Sequence, residues 1–365
     1  MNLKVALVEL GGSHQECLYT QIRFLKAVPG VRLTLVCDDS LQGAINHFDS
    51  IDQVVIVPLK KGIFQWQSLA SLWKICKQEA FDKIIFNTAQ GKIIKRFLKF
   101  PFPKSTIFYG TLHDIKKLKN SHTQRIISRK VKNYFLLHHY LEKQVRQENY
   151  SSLRFAVYYP VIFPQFASKN TLKSKDELWI CVPGQVENKR RDYPGLFQSI
   201  EKQGLSPRIK ILLLGRCAHQ SGDGAFVKNE IKRLAIDSHV QLYDEFIGTE
   251  LYHQIVAQCD YILPLIHSQT ASVALYEHQI TGAFNLAVGY QLPLLLEKEF
   301  ARDYFSNFET VIYQKENLAS CLNSLEAIPS KRKYQQQLWS FQVLQKNYLD
   351  FLNISVPENS GSEVV

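Results

Sequence analysis

The chain lacks an apolar run able to cross a bilayer. The longer of its two long uncharged stretches, Tyr261–Tyr276 and His278–Leu296, carries Thr281-Gly282, Gly289 and Pro293, and changes from a helical to a strand pattern. The N-terminus has neither the apolar core nor the small-residue cleavage site of a secretory signal, so Leu3–Leu10 is read as a first strand. Seven cysteines (17, 37, 76, 181, 217, 259, 321) form no C-x-x-C pair, and no two lie closer than 20 residues. That spacing argues against a zinc site or a dithiol redox centre and fits a reducing cytoplasm. No G-x-G-x-x-G and no G-x-x-x-x-G-K-[ST] occurs, so neither the nicotinamide-binding fingerprint nor the Walker loop is supported. Internal repeats and low-complexity tracts are also missing.

What is present is an ordinary globular composition, 45% apolar and 21% charged, in 365 residues, a length that fits two domains. The net charge of +11 is local. Residues 92–132 hold twelve Lys and Arg against one acid, Asp114, and the rest of the chain carries 32 of each sign. Within that stretch Ile93, Ile94, Phe97, Leu98 and Phe100 alternate with Lys92, Lys95, Arg96 and Lys99. Such a basic amphipathic segment suits an anionic membrane surface, with an ordinary solvated helix packed on a sheet as the other reading. Nucleic acid is disfavoured, because no nucleic-acid motif accompanies the charge.

Short β-branched runs alternate with helical patterns along the whole length, the mark of parallel sheets covered by helices. The first series of strands is Leu3–Leu10, Arg32–Cys37, Gln53–Pro58, Lys83–Phe86, Thr106–Gly110, Tyr134–His138 and Phe155–Val161. The second is Leu178–Val182, Ile209–Leu214, Val240–Tyr243, Tyr261–Leu265 and Leu292–Leu296. Between the series, Phe163–Asp176 is polar, aperiodic and contains Pro164, as a linker would be. The expected organisation is a domain over 1–165, a second over 166–333, a helix over 334–352 (Lys333–Phe351 by its pattern) and a tail over 353–365. Two such domains facing one another would bind a ligand at the carboxyl ends of their strands.

Three loops then carry candidate chemistry. Gly11-Gly12-Ser13-His14 follows the first strand and precedes a helix; paired glycines allow a sharp turn and close approach to a ligand, or make a plain tight turn. The segment from Gly184 and Gln185 to Asp192 places Lys189, Arg190 and Arg191 together, where a diphosphate would relieve their repulsion, and Asp192 is placed to cap the next helix. In the third, Thr281 is expected to cap a helix whose small first residues, Gly282 and Ala283, leave N–H groups open to phosphate. Glu277 lies just upstream, able to accept bonds from sugar hydroxyls or to serve as a structural carboxylate. His113, beside Asp114 at a strand end, is a candidate for the reacting centre, with Asp114 expected to fix its tautomer. His14, His138 and His139 are read by themselves as structural.

The succession Gly184, Lys189-Arg190-Arg191, Glu277, Gly282, Gly289, Pro293 resembles the donor-binding half of GT-B-fold glycosyltransferases, nearest to retaining family 4. In that family a strand-end glycine precedes an Arg and then a Lys that hold the diphosphate; here Gln185 stands for the Arg, and Lys189 or Arg190 matches the Lys. The family's second glutamate, eight residues after the first, is Asn285 here, whose amide can still bond a hydroxyl. Gly11-Gly12 resembles the acceptor-side loop, and His113 is similar in position to the family's active-site histidine. The resemblance implies two doubly wound Rossmann-like domains facing across a cleft, with a final helix crossing back to the first. It also implies transfer of a hexose-type sugar from a nucleotide-diphosphate sugar to an acceptor hydroxyl in polysaccharide or glycolipid synthesis. No cofactor and no metal are expected: no D-x-D occurs, and cations would stabilise the departing diphosphate. Lys189, Arg190, Glu277 and His113 would serve catalysis, and Gly184, Gln185, Arg191, Thr281, Gly282, Ala283 and Asn285 donor binding. Gly11, Gly12 and His14 would form the acceptor-side loop. His113 would be a general base if the reaction inverts and would orient the substrate if it retains. A glycan or lipid-linked acceptor would meet the enzyme in the cytoplasm or on the inner membrane face, reached through residues 92–132. Two rivals are a GT-B-fold nucleotide-sugar 2-epimerase and a non-catalytic nucleotide- or glycan-binding module.

Overall fold

A strand buried on both faces of a parallel sheet is apolar on both, and Leu3–Glu9 (β1) meets this condition, with Val5 to Val8 wholly buried. The computed structural model describes residues 2–12, 14–59, 62–166, 172–218, 222–270, 272–301, 307–326, 334 and 336–355. The chain divides into two compact units, Met1–Pro164 with Ser340–Val365, and Gln165–Trp339.

In the first unit β1 is joined by β2 (Val31–Asp38), β3 (Gln53–Val57), β4 (Lys83–Phe86), β5 (Ile107–Leu112), β6 (Asn133–Leu136) and β7 (Arg154–Val157). They form one parallel sheet in the order β3-β2-β1-β4-β5-β6-β7. The second unit holds β8 (Leu178–Pro183), β9 (Ile209–Arg216), β10 (Val240–Tyr243), β11 (Tyr261–Ile262), β12 (Leu294–Glu297) and β13 (Thr310–Tyr313), parallel in the order β10-β9-β8-β11-β12-β13. In each sheet the chain builds outward from the first strand one way and then returns to build the other way. Both units are therefore doubly wound, with switch points between β1 and β4 and between β8 and β11.

The helix Phe341–Leu352 belongs to the first unit. Tyr348 stacks on Phe135 with centroids 4.5 Å apart and donates through its hydroxyl to Gln21 Oε1 at 2.9 Å; Gln345 Nε2 donates to the Phe24 carbonyl at 2.9 Å. The helix expected over Lys333–Phe351 is broken at Ser340. There the backbone is extended and the hydroxyl accepts from Val343 N, so Gln336–Trp339 is a separate turn. Residue 333 lies outside the described residues.

Other expectations change for local reasons. Strand β11 stops at Ile262 instead of Leu265, because Pro264 has no N–H to give and Leu265 adopts φ 55. A left-handed leucine is strained, and here its carbonyl is turned to accept the Asp192 N–H at 2.9 Å. Strand β13 is absent from the sequence reading; at the sheet edge, only Tyr313 of its four residues is fully buried. The helix expected over Ser13–Ala27 begins as a 3-10 turn at Gln15–Cys17 and becomes α-helical over Leu18–Lys26, with Ser13 outside the described residues. Among the described residues no helix is long and apolar enough to cross a membrane.

Candidate functional site

Beyond the carboxyl ends of β1, β4 and β5, at the switch point of the first sheet, lies a cluster of polar side chains. Glu9 closes β1 and is 1% exposed. Its Oε1 accepts from the Gly11 N–H at 2.7 Å; its Oε2 accepts from Asn87 Nδ2 at 2.7 Å and Thr88 Oγ1 at 2.6 Å. Burial pushes the Glu9 carboxyl up in spite of these bonds. Asn87 also donates to the His14 carbonyl at 2.9 Å and accepts from Gln21 Nε2 at 2.7 Å. The turn holding Gly11, Gly12 and His14 is thus tied to the ends of β1 and β4, and a Cβ at Gly12 would stand 3.0 Å from Ser40 Oγ.

His14, in a left-handed conformation at φ 68, and His113 stack with ring centroids 3.7 Å apart. His113 Nε2 donates to the Asn87 carbonyl at 2.9 Å. A carbonyl only accepts, so the neutral ring carries its proton on Nε2 and a lone pair on Nδ1. Burial first, and then the charge of His14, push His113 down to about 3. Burial opposes charge on His14 too, but the hydrogen bond and charge of Glu16, 3.4 Å away, outweigh it and raise the imidazole. Two stacked imidazoles are therefore driven apart in protonation, one toward the cation and one neutral.

Contrary to the expectation from its adjacent position, Asp114 does not set the His113 tautomer. Its Oδ1 accepts from the Lys116 N–H at 3.1 Å, and the Asn87 carbonyl takes the role. Gln90 Oε1 holds the strand end by accepting from the His113 and Asp114 N–H groups at 3.1 and 3.2 Å. His138 caps its helix by accepting from Tyr140 N.

At the switch point of the second sheet the loop leaving β8 is built around a buried arginine. Gly184 has φ +93, and a Cβ there would meet the Arg191 guanidinium at 2.5 Å, so this close approach requires glycine. Arg191, 5% exposed, donates to the Pro183 carbonyl and, at 3.3 Å, to the Gln185 carbonyl. Its two terminal nitrogens are held by the backbone of its own loop while its buried Nε has no hydrogen-bond partner among the described residues, so Arg191 is turned inward and does not stand exposed beside the other two cations. The other two are exposed: Lys189 Nζ lies 3.4 Å and Arg190 Nε 3.1 Å from Oε2 of Glu187, itself 3% exposed. The repulsion expected to call for a diphosphate is already relieved by that carboxylate, and Lys189 and Arg190 remain as the loop's cations at the surface.

Asp192 caps the helix Tyr193–Gln203, as read from the sequence, accepting from Gly195 N at 3.0 Å. It also accepts from His267 Nδ1 at 2.6 Å and Lys315 Nζ at 2.9 Å. Burial opposes its charge, yet these bonds hold the carboxyl well below the usual range. His267 is wholly buried, with Nε2 3.0 Å from Tyr313 Oη. This network joins the loop after β8 to the segments after β11 and β13.

Thr281 caps the helix Gly282–Tyr290, its hydroxyl accepting from Ala283 N at 3.4 Å. The helix packs on β8 and β11, the strands from which the loop Gly184–Asp192 and the segment leading to Thr281 depart. Gly282 is exposed, Ala283 and Asn285 are buried, and Gln185 is exposed. Glu277 is half-buried just past the helix Ser272–Tyr276, its N–H donating to the Val273 carbonyl at 3.0 Å.

Several residues of these clusters escaped the sequence reading. Glu9 was visible as the one acid inside an apolar strand, and Asn87-Thr88 as polar residues directly after one. His267 lies in the segment after β11, and Glu297 closes β12; Glu297, 3% exposed, accepts from the Ser268 N–H and hydroxyl, each at 2.9 Å. Glu187 was in plain view within its loop, and only geometry shows that it neutralises its neighbours. Among the described residues no group of three or more His, Cys, Asp or Glu could hold a metal ion.

No protein-family model and no curated protein matches the chain. Solved structures do. Anabaena HepE, in complex with UDP and glucose, is 13% identical, with 96% of this chain and 95% of that one covered at a TM-score of 0.59. A glycosyltransferase from Rickettsia africae is 14% identical over 97% and 100%, at 0.60. UDP-GlcNAc 2-epimerase from Methanocaldococcus jannaschii is 10% identical over 96% and 99%, at 0.61. At these identities the likeness shows the fold: the chain has the GT-B fold.

Proposed function

We propose that this protein is a glycosyltransferase moving a hexose-type sugar from a nucleoside-diphosphate sugar to an acceptor hydroxyl, nearest in kind to retaining family 4. The observation that carries the reading is the β8/β11 junction, where a capped helix with small first residues packs on β8, the strand from which the Lys189–Arg190 loop departs. The Gly282 N–H and the cations Lys189 and Arg190 stabilise charge on the leaving diphosphate, the Ala283 N–H being taken by the Thr281 cap. Gly184 lets the loop backbone pass close to Arg191, which holds the loop's shape. Gln185, Glu277 and Asn285 serve hydroxyls of sugar or ribose. The UDP held by HepE supports a nucleotide of this class as the donor's leaving group.

In the first unit, Gly11, Gly12 and His14 form the acceptor-side loop. His113, neutral and with its lone pair on Nδ1, takes the acceptor proton if the reaction inverts and orients the hydroxyl if it retains. The reaction uses no resident cofactor or metal. The acceptor is a glycan or lipid-linked glycan of envelope polysaccharide synthesis, presented at the inner membrane face against residues 92–132.

The 2-epimerase of the same fold favours a second reading, epimerisation of the donor itself. Incubating the protein with a panel of nucleoside-diphosphate hexoses separates the two. The transferase releases nucleoside diphosphate only when a glycan acceptor is added, whereas conversion of the donor to its 2-epimer without acceptor would establish the second reading and end the first.

A further inference from the structure

A solvated helix spreads its cations among carboxylates and hides its large apolar residues; one region of the first unit does neither. The helix Ile63–Glu79 begins with Ile63 71% exposed and Phe64 60% exposed, and Trp66 is 38% exposed one turn after Ile63. The helix Lys92–Phe97 packs on it. Arg96 and Lys99 lie over the Trp66 ring at 5.8 and 5.9 Å, and Arg96 donates to Gln65 Oε1. Phe100 continues the aromatic surface from Trp66 to Trp73, its ring 6.3 and 5.6 Å from theirs. Among the described residues Lys92, Lys95, Arg96, Lys99 and Lys104 form no ion pair, although the same stretch pairs Lys119 with Glu148 at 3.0 Å.

We infer that Ile63 and Phe64 enter the interfacial layer of an anionic phospholipid bilayer, with Trp66 at headgroup level and the unpaired cations of residues 92–104 on the lipid phosphates. Each half of the surface accounts for what the other leaves open. Cations alone fit any polyanion, but exposed isoleucine and phenylalanine gain nothing from a phosphate backbone and gain from acyl chains. Cations around an apolar tip match a surface that is negative at its headgroups and apolar beneath them. A single-stranded nucleic acid would need open aromatic faces for its bases, whereas Trp66 is overlaid by Arg96 and Lys99 and Ile63 cannot stack. The inference deepens the membrane part of the proposed function and rests on that reading only for the identity of the acceptor.

The test is sedimentation of the full chain with vesicles of phosphatidylcholine alone and of equal parts phosphatidylcholine and phosphatidylglycerol. The native protein binds the mixed vesicles about tenfold or more tightly than the neutral ones, and added salt weakens this binding. Ile63→Ser with Phe64→Ser weakens binding to mixed vesicles about tenfold and leaves the melting temperature unchanged, because both side chains are exposed. Lys95→Glu with Lys99→Glu removes the preference for the anionic lipid. Absence of vesicle binding, undiminished binding by the serine variant, or displacement from mixed vesicles by a single-stranded oligonucleotide would overturn the inference. Loss of nucleoside-diphosphate binding is a separate readout that bears on the transferase reading and not on this one.

Discussion

Acidification from pH 7 to pH 5 is expected to weaken the first unit through His113. In the folded chain this imidazole is held at about 3 against an ordinary 6.5, so between those values the unfolded chain binds a proton that the folded chain does not. Stability therefore falls as pH drops through 6.5 and continues to fall toward 3, at up to about 1.4 kcal/mol per pH unit. At pH 5 the loss from this one group is about 2 kcal/mol relative to neutral pH. His14 acts with the opposite sign: its raised value gives stability that is present in acid and lost as pH rises through its folded value. That contribution is expected to be shared by a His113→Gln variant, whose amide can donate to the Asn87 carbonyl in place of Nε2 but does not titrate. The assay is urea denaturation followed by the fluorescence of Trp66 and Trp73, with Trp179 and Trp339 of the other unit replaced by phenylalanine. The variant should lose less stability than the parent between pH 7 and 5, by about 2 kcal/mol. Equal losses in the two proteins would show that His113 is not held neutral and would refute the electrostatic description of the cluster.

Two further outcomes follow from the second unit. Gly184→Ala forces a left-handed alanine whose Cβ meets the Arg191 guanidinium at 2.5 Å, and calorimetry should show the second unit destabilised by about 1–3 kcal/mol. Lys189→Ala and Arg190→Ala, at exposed positions, should each weaken nucleoside-diphosphate binding about tenfold in titration calorimetry, with melting temperature within about a degree of the parent.

The fold was legible because its signal is repeated. Lys83–Phe86 and Val240–Tyr243 match the observed strands residue for residue, and a run of buried apolar strands separated by helices admits few arrangements other than a doubly wound sheet. What escaped was set by single backbone events. Pro264 and left-handed Leu265 end β11 early, and Ser340 converts one periodic pattern into two helices. The capping roles of Asp192 and Thr281 were legible because a cap is a contact over two or three residues. Charge neutralisation was not. Glu187 turns back on Lys189 and Arg190 while Arg191 turns inward, and a sequence lists the four without their directions. The Glu9–Asn87–His14–His113 cluster joins strands up to 104 residues apart, so only the sheet order brings it together.

The most direct measurement is amide hydrogen exchange of the full chain with and without a saturating nucleoside diphosphate, UDP first. Slowed exchange concentrated at residues 183–192 and 282–285 is the predicted result, because those backbones would enclose the phosphates. Unchanged exchange there under saturation, or protection confined to the Glu9–His113 cluster of the other unit, would contradict it.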